Sequence, residues 1–243
     1  MIVKTQAICI KNTRFGESGM ICKFFTLDRG LTSFLVQGLN RKSSMIKSSH
    51  LMPGNTLEII YYKKPTSNIN RLKELKLINS FYVHEVDVVK NAVLQFVLEI
   101  IAKTNEEEVS DIKVFYFIKK TIDELKRAKS FLKYFPVIFL CKYLTFTGWY
   151  PNFDTEYDNE NFSLKEGRFI RTSVQINDAN LLDKKESDVL YSVFQIAEKQ
   201  DYNTEINEFN HKKIIGYLIT YFEIHLLKGK KIKSPEILSE IFA

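Results

Sequence analysis

The chain has 243 residues, of which 45% are hydrophobic and 26% are charged. This composition is typical of a folded globular protein and fits neither a disordered chain nor a membrane protein. The length allows one large domain or two small ones. No apolar run is long enough to span a bilayer, and the N-terminus lacks the apolar segment of a signal peptide. We therefore expect a cytoplasmic protein that does not bind membranes.

The net charge of +6 is distributed unevenly along the chain. Residues 1–80 contain 13 Lys and Arg against 4 Asp and Glu, a balance of +9, whereas residues 81–243 have a balance of −3. Positive charge concentrated in one part of a chain predicts a polyanionic partner for that part.

The first 80 residues have the pattern of short β-strands separated by turns rich in Gly, Pro, Asn and Ser. In the last of these strands, Leu75 and Leu77 alternate with Glu74 and Lys76, as expected of a strand with one buried face. Five short strands in this length, with the longest gap after the third, predict an OB-fold barrel; an SH3-like barrel is the alternative. The predicted strands are 4–11, 20–27, 32–38, 57–62 and 72–78.

From residue 84 onwards the apolar residues recur with the 3.6-residue period of amphipathic helices. We place Glu106, Glu107 and Glu108 at the start of the second helix, where carboxylates favour the helix dipole. Two short runs, 162–164 and 167–170, flank a turn and predict a small hairpin. The sequence thus predicts an α+β protein with a barrel domain at 1–80 and a helical domain at 81–243. The predicted helices are 84–105, 109–127, 132–146, 184–198, 209–228 and 235–242.

A polar, basic loop after the third strand contains Arg41 and Lys42, the strongest candidates for phosphate binding. Lys and Arg neutralise phosphates, and neighbouring aromatic rings offer faces on which bases stack. Phe15 and the pair Tyr61 and Tyr62 adjoin such cations. Because adjacent strand residues point to opposite faces, at most one of the two tyrosines lies fully inside the barrel. The predicted DNA-binding residues are Arg14, Lys23, Arg41, Lys42, Lys47, Tyr62, Lys63, Lys64, Arg71 and Lys73.

Catalysis has little support in the sequence. The histidines are scattered without metal-ligand spacing, and no phosphate-binding P-loop is present. Cys9, Cys22 and Cys141 lie at unrelated spacings in apolar segments and are interpreted as buried small hydrophobic residues. His225 follows two aromatic residues on one helix face, which favours a packing or capping role. We expect no enzymatic activity. Two alternatives remain: a nucleic-acid hydrolase, which would show metal-dependent turnover, and an RNA-binding OB protein, which would prefer ribo- to deoxyribo-oligonucleotides because it uses the 2′-OH.

Several short motifs occur in a characteristic order along the chain. They are KTQAI at 4–8, FGES at 15–18, FTLDRG at 25–30, GLNRKS at 38–43, LMPG at 51–54, LKE at 72–74 and YFEIH at 221–225, followed by Lys233-Ser234. In this order they resemble the RecO family of bacterial recombination-mediator and DNA-repair proteins, over nearly the whole chain.

The resemblance implies an N-terminal OB fold on a helical domain. It also implies binding to single- and double-stranded DNA at the nucleoid, annealing of complementary strands, and action together with RecR. The joint task would be to load RecA onto DNA coated by single-strand-binding protein (SSB), whose C-terminal tail would bind the helical domain.

One departure from the family concerns its zinc module. Many members have four cysteines just after the third helix, but the corresponding segment here, 149–172, contains no Cys or His. We therefore expect no zinc and no other cofactor. Packing by aromatic side chains is expected to hold this segment instead. These side chains are Trp149, Tyr150, Phe153, Phe162 and Phe169.

Overall fold

The computed structural model describes residues 1–17, 19–39, 46–63, 69–82, 87–130, 132–153, 161–171, 178–199 and 210–242. Two compact units make up the chain, Met1–Lys126 and Arg127–Ala243. The first unit contains the strands of residues 1–80 together with two helices. Within the described ranges, no helix has the length and apolar character needed to cross a membrane.

The first unit is built around a closed five-stranded barrel. Its strands are β1 (Ile2–Phe15), β2 (Gly19–Thr26), β3 (Gly30–Val36), β4 (Thr56–Tyr62) and β5 (Ile69–Asn79). Their order around the barrel is β1-β2-β3-β5-β4, and the β3–β5 pair is parallel whereas the other pairs are antiparallel. This is the arrangement of the OB fold, so the predicted fold class is confirmed against the SH3-like alternative.

The first strand is longer than predicted because it has two different neighbours. Residues 2–8 pair with β4, and residues 7–15 pair with β2. A bulge between Cys9 and Lys11 shifts the register within the second pairing. The polar residues after the bulge obscure the strand pattern in the sequence, although their backbone continues the ladder.

Aromatic side chains fill the barrel interior. The rings of Phe24 and Phe34 stack with centroids 5.2 Å apart, and Tyr61 meets Phe34 edge-on at 5.0 Å. Such pairs add to the stabilisation that comes from burying apolar area. Cys9 and Cys22 are fully buried beside them, as is Cys141 in the second unit, which confirms the interpretation of the three cysteines.

Two helices, α1 (Val88–Thr104) and α2 (Ile112–Arg127), accompany the barrel. Phe115 of α2 stacks on the outward-facing ring of Phe25 at 6.4 Å. The side-chain amide of Asn79 donates to Oδ1 of Asp123 at 2.7 Å. These contacts bury part of the barrel exterior beneath the helices.

The prediction that the acidic turn begins the second helix is wrong. The helix begins at Ile112, and Oδ1 of Asp111 accepts hydrogen bonds from the backbone of Lys113 at 2.8 Å and Val114 at 3.0 Å. A short Asp side chain reaches these backbone N–H groups easily, which makes it a good N-cap. Glu107 and Glu108 lie before the helix and form ion pairs with cations of the barrel.

The second unit contains α3 (Phe135–Leu144), then a two-stranded hairpin of β6 (Asn161–Ser163) and β7 (Arg168–Ile170). Three further helices follow, and each is within a few residues of its predicted position. They are α4 (Lys184–Lys199), α5 (His211–His225) and α6 (Ser234–Ile241).

An aromatic cluster lies between the hairpin and α4. Phe153 is at its centre, with ring centroids 5.3 Å from Phe162, 5.2 Å from Tyr191 and 4.9 Å from Phe194. Tyr150 and Phe169 also contact this ring. The predicted aromatic packing is therefore present for four of the five side chains.

Trp149, the fifth, packs elsewhere in the second unit. Its ring stacks on that of His225 at 4.7 Å, and Nε2 of this histidine is 2.9 Å from the carbonyl oxygen of Leu164. The predicted packing role of His225 is confirmed. In the part of the chain that the structure describes, no cluster of three His, Cys, Asp or Glu side chains is placed to hold a metal ion.

Candidate nucleic-acid interface

The two adjacent tyrosines of β4 point in opposite directions. Tyr61 is fully buried, whereas Tyr62 is 41% exposed. The hydroxyl of Tyr61 donates to Oδ2 of Asp28 at 3.1 Å, so the inner ring has a structural partner. Burial and the nearby carboxylate raise the pKa of Tyr61 to about 12. The alternation predicted from the sequence is confirmed, and the outward ring is the one available to a ligand.

Three of the predicted DNA-binding side chains line one groove on the barrel. Tyr62 and Arg71 are paired across β4 and β5, and with Lys73 and Leu72 they surround an open groove of about 640 Å³. A register shift in β4–β5 gives Lys73 an outward position, where its ammonium group is 3.2 Å from the carboxylate of Glu74. Both partners are exposed, so this pair contributes little and leaves the lysine available to phosphate.

The groove continues along a row of outward positions that crosses all five strands. Each residue of the row is the cross-strand partner of the next. In order around the barrel they are Thr13 on β1, Ile21 on β2, Leu35 on β3, Arg71 on β5 and Tyr62 on β4. Ile21 and Leu35 are half-buried, so they form an apolar floor beside the cation and the aromatic ring. OB folds bind oligonucleotides across β2 and β3 and on the connections β1–β2 and β4–β5, which is where this row lies.

Two further predicted cations, Lys63 and Arg14, lie near the ends of this row. Lys63 follows Tyr62 and is exposed, with its backbone N–H held by the carbonyl of Met1 at 2.9 Å. Arg14 is exposed near the end of β1, beside Phe15, whose ring is 53% exposed. These residues place charge and an aromatic ring at the ends of strands β1 and β4.

Two predicted basic residues occupy different environments. Lys23, on the outer face of β2, forms an ion pair with Glu107 at 2.6 Å. Lys47 is exposed just before a short 3-10 helix, Ser48–Leu51, in the β3–β4 connection. Three further candidates, Arg41, Lys42 and Lys64, lie outside the described residues.

Two family models match this chain, "Recombination protein O N terminal" over residues 1–81 and "Recombination protein O C terminal" over residues 85–234. The chain belongs to the RecO family. It is similar along its full length to proteins named DNA repair protein RecO. That of Flavobacterium johnsoniae is 30% identical, that of Flavobacterium psychrophilum 27% and that of Bacteroides fragilis 23%, each with 100% of both chains covered.

The family assignment from ordered motifs is thereby confirmed. The RecO N-terminal match covers the barrel, and the C-terminal match covers α1 to α5. The candidate interface therefore lies within the N-terminal RecO region.

Lys11 is a candidate interface residue that the sequence pattern does not predict. It is exposed on the outer face of β1, directly opposite Lys23. Strict alternation places Lys11 on the same side as Cys9, inside the barrel, but the bulge reverses the phase and turns it outward. No local sequence signal marks this bulge.

Among the described residues, Lys11, Arg14, Lys63 and Arg71 have no carboxylate partner. Unpaired cations on an exposed face keep their full charge available to a polyanion. The interface thus combines free positive charge with an exposed aromatic ring, which is the combination that single-stranded nucleic acid requires.

Proposed function

We propose that the protein is a non-catalytic DNA-repair mediator that binds single- and double-stranded DNA on the outer face of its barrel. The groove lined by Tyr62, Arg71 and Lys73 carries this proposal. It joins two cations to one aromatic face, and membership of the RecO family supports DNA as the ligand.

The chemistry of the groove suits DNA of any sequence. Phosphate contacts by Lys and Arg contribute affinity that depends strongly on salt and little on sequence. Stacking on an aromatic ring contributes ~1–3 kcal/mol per base and is available to every base. A repair protein that acts on arbitrary DNA benefits from both, since base-edge recognition would restrict its sites.

Annealing of complementary strands is the proposed activity. Two DNA strands repel each other through their phosphates, and cations along the barrel face reduce this repulsion when they bind one strand. The bases of that strand remain accessible to a second strand if the protein grips chiefly the backbone. By family resemblance, the protein would act with RecR, contact the C-terminal tail of SSB, and help to load RecA onto SSB-coated DNA in the cytoplasm.

The test is annealing of complementary oligonucleotides, free and SSB-coated, without ATP or added metal, at two salt concentrations. We expect the protein to accelerate annealing and to lose this effect as salt increases. The double variant Arg71→Ala with Lys73→Ala should lose most of the acceleration. The control is Lys76→Ala, which removes one exposed charge from the same strand about 17 Å along from Arg71.

The outcomes separate the parts of the proposal. Binding without annealing would reduce the function to a DNA-binding module. Equal annealing by the double variant and the wild type would remove the groove from the contact surface. Absence of DNA binding at low salt, or a requirement for metal-dependent turnover, would overturn the proposal.

A further inference from the structure

Two lysines face each other on the outside of the barrel. Lys11 of β1 and Lys23 of β2 are cross-strand partners, and both side chains point away from the core. Like charges directly opposite each other in a sheet are unfavourable, so such a pair needs a counterion. Bound phosphate would be one, and a carboxylate of the protein would be another.

Among the described residues, a carboxylate contacts one of the two lysines and not the other. Nζ of Lys23 is 2.6 Å from Oε1 of Glu107, and this lysine side chain is 33% exposed. Lys11 is exposed and has no carboxylate partner among the described residues. The two neighbouring cations therefore differ in their availability to a polyanion.

Glu107 is held at this position by the backbone around it. The N–H of Glu108 donates to the carbonyl of Leu31 at 2.9 Å, and the Glu108 carboxylate pairs with Arg29 at 2.5 Å. The connection also passes so close to Gly30 that an added Cβ atom would lie 2.0 Å from the carbonyl oxygen of Val109. The acidic connection between α1 and α2 thus lies directly against the edge of β3.

We infer that Lys11 is a further DNA-contacting residue and that Glu107 withholds Lys23 from the DNA phosphates. This inference rests on the proposed function, because it concerns the same DNA-binding face. The fixed carboxylate occupies the position that a phosphate oxygen would take on Lys23. Lys11 is left as the cation through which the β1–β2 part of the face binds the backbone.

The test is the salt dependence of binding to a single-stranded oligothymidylate, measured with the full-length protein. Each phosphate contact contributes about 0.7 to the slope of log affinity against log salt, or about 2.6-fold between about 50 mM and about 200 mM salt. The variants are Lys11→Gln, Glu107→Gln, the double variant Lys23→Gln with Glu107→Gln, and the control Lys76→Gln.

We expect Lys11→Gln to lose one contact, so its affinity falls about 2.6-fold less than that of the wild type over this salt range. Glu107→Gln should gain one contact and fall about 2.6-fold more. The double variant, which has the wild-type net charge, should return to the wild-type slope, and Lys76→Gln should keep it.

A wild-type slope for Lys11→Gln would overturn the role of Lys11. A wild-type slope for Glu107→Gln, or a double variant as steep as Glu107→Gln, would overturn the masking of Lys23. Thermal denaturation checks that each variant is folded, and Glu107→Ala serves as a second test of the masking if the amide variant unfolds. If the wild type itself does not bind at low salt, the proposed function fails and this inference fails with it, whereas failure of the inference alone leaves wild-type binding intact.

Discussion

Replacement of Tyr62 by Ala gives the sharpest test of the groove. The Tyr62 ring is 41% exposed and stands beside Arg71 and Lys73, so a base that stacks on it keeps its phosphates near two cations. Loss of one stacked base costs ~1–3 kcal/mol. This corresponds to a dissociation constant raised roughly 5- to 160-fold. Fluorescence anisotropy with a labelled single strand at constant salt measures this change directly.

Two tyrosine variants serve as matched controls. Tyr62→Phe keeps the ring and should bind almost as tightly as the wild type. Tyr61→Phe removes the buried hydroxyl that donates to Asp28, so it should lower the free energy of unfolding by about 1 kcal/mol while leaving DNA affinity unchanged. Wild-type affinity in Tyr62→Ala would refute the stacking role. An equal loss in Tyr62→Phe would show that the hydroxyl, rather than the ring face, contacts DNA.

Two further predictions concern stability. Phe153→Ala should lower the free energy of unfolding of the second unit by about 3 kcal/mol in urea denaturation, because it empties the centre of the aromatic cluster, and partial burial of this ring puts the loss at the low end for a Phe→Ala change. A loss no larger than that of Ile237→Ala, at a half-exposed position of α6 in the same unit, would contradict this. Alkaline pH should destabilise the barrel, because burial raises the pKa of Cys22 from 9.0 to about 12. The unfolded thiol releases its proton first, so this stability is present below pH 9 and lost as pH rises towards 12. Cys22→Ala should reduce the decline in the free energy of unfolding by about 1.4 kcal/mol at pH 10.

The sequence predicts the architecture well because the barrel obeys local patterns. Alternation alone separates buried Tyr61 from exposed Tyr62, and turn residues separate the five strands. These features depend on the period of side chains along a strand, which the sequence displays directly. Arg71 and Lys73 are among the predicted contacts because they are basic, whereas the register shift that turns Lys73 outward is not visible in the sequence.

The parts that were mispredicted depend on contacts between distant residues. Glu107 is 84 positions from Lys23 in the chain, so a local pattern assigns it to the nearest helix terminus instead of to its ion-pair partner. Lys11 becomes an outward residue only through a bulge that is set by pairing with β2. In both cases tertiary contacts determine which cations of the outer barrel face are free to bind a polyanion. Periodicity shows only which strand residues belong to that face.

The double pairing of β1 also constrains the order in which the barrel can form. Its pairing with β4 joins residues 48 to 60 positions apart, whereas its pairing with β2 joins residues within one hairpin. The three-stranded meander can therefore assemble as soon as it leaves the ribosome, but closure must await synthesis of β4 and β5. Until then β1 and β3 expose unpaired backbone edges, and the entropy of closing so long a loop slows the final step. Barrel closure is thus the stage at which a nascent chain is most exposed to misassembly.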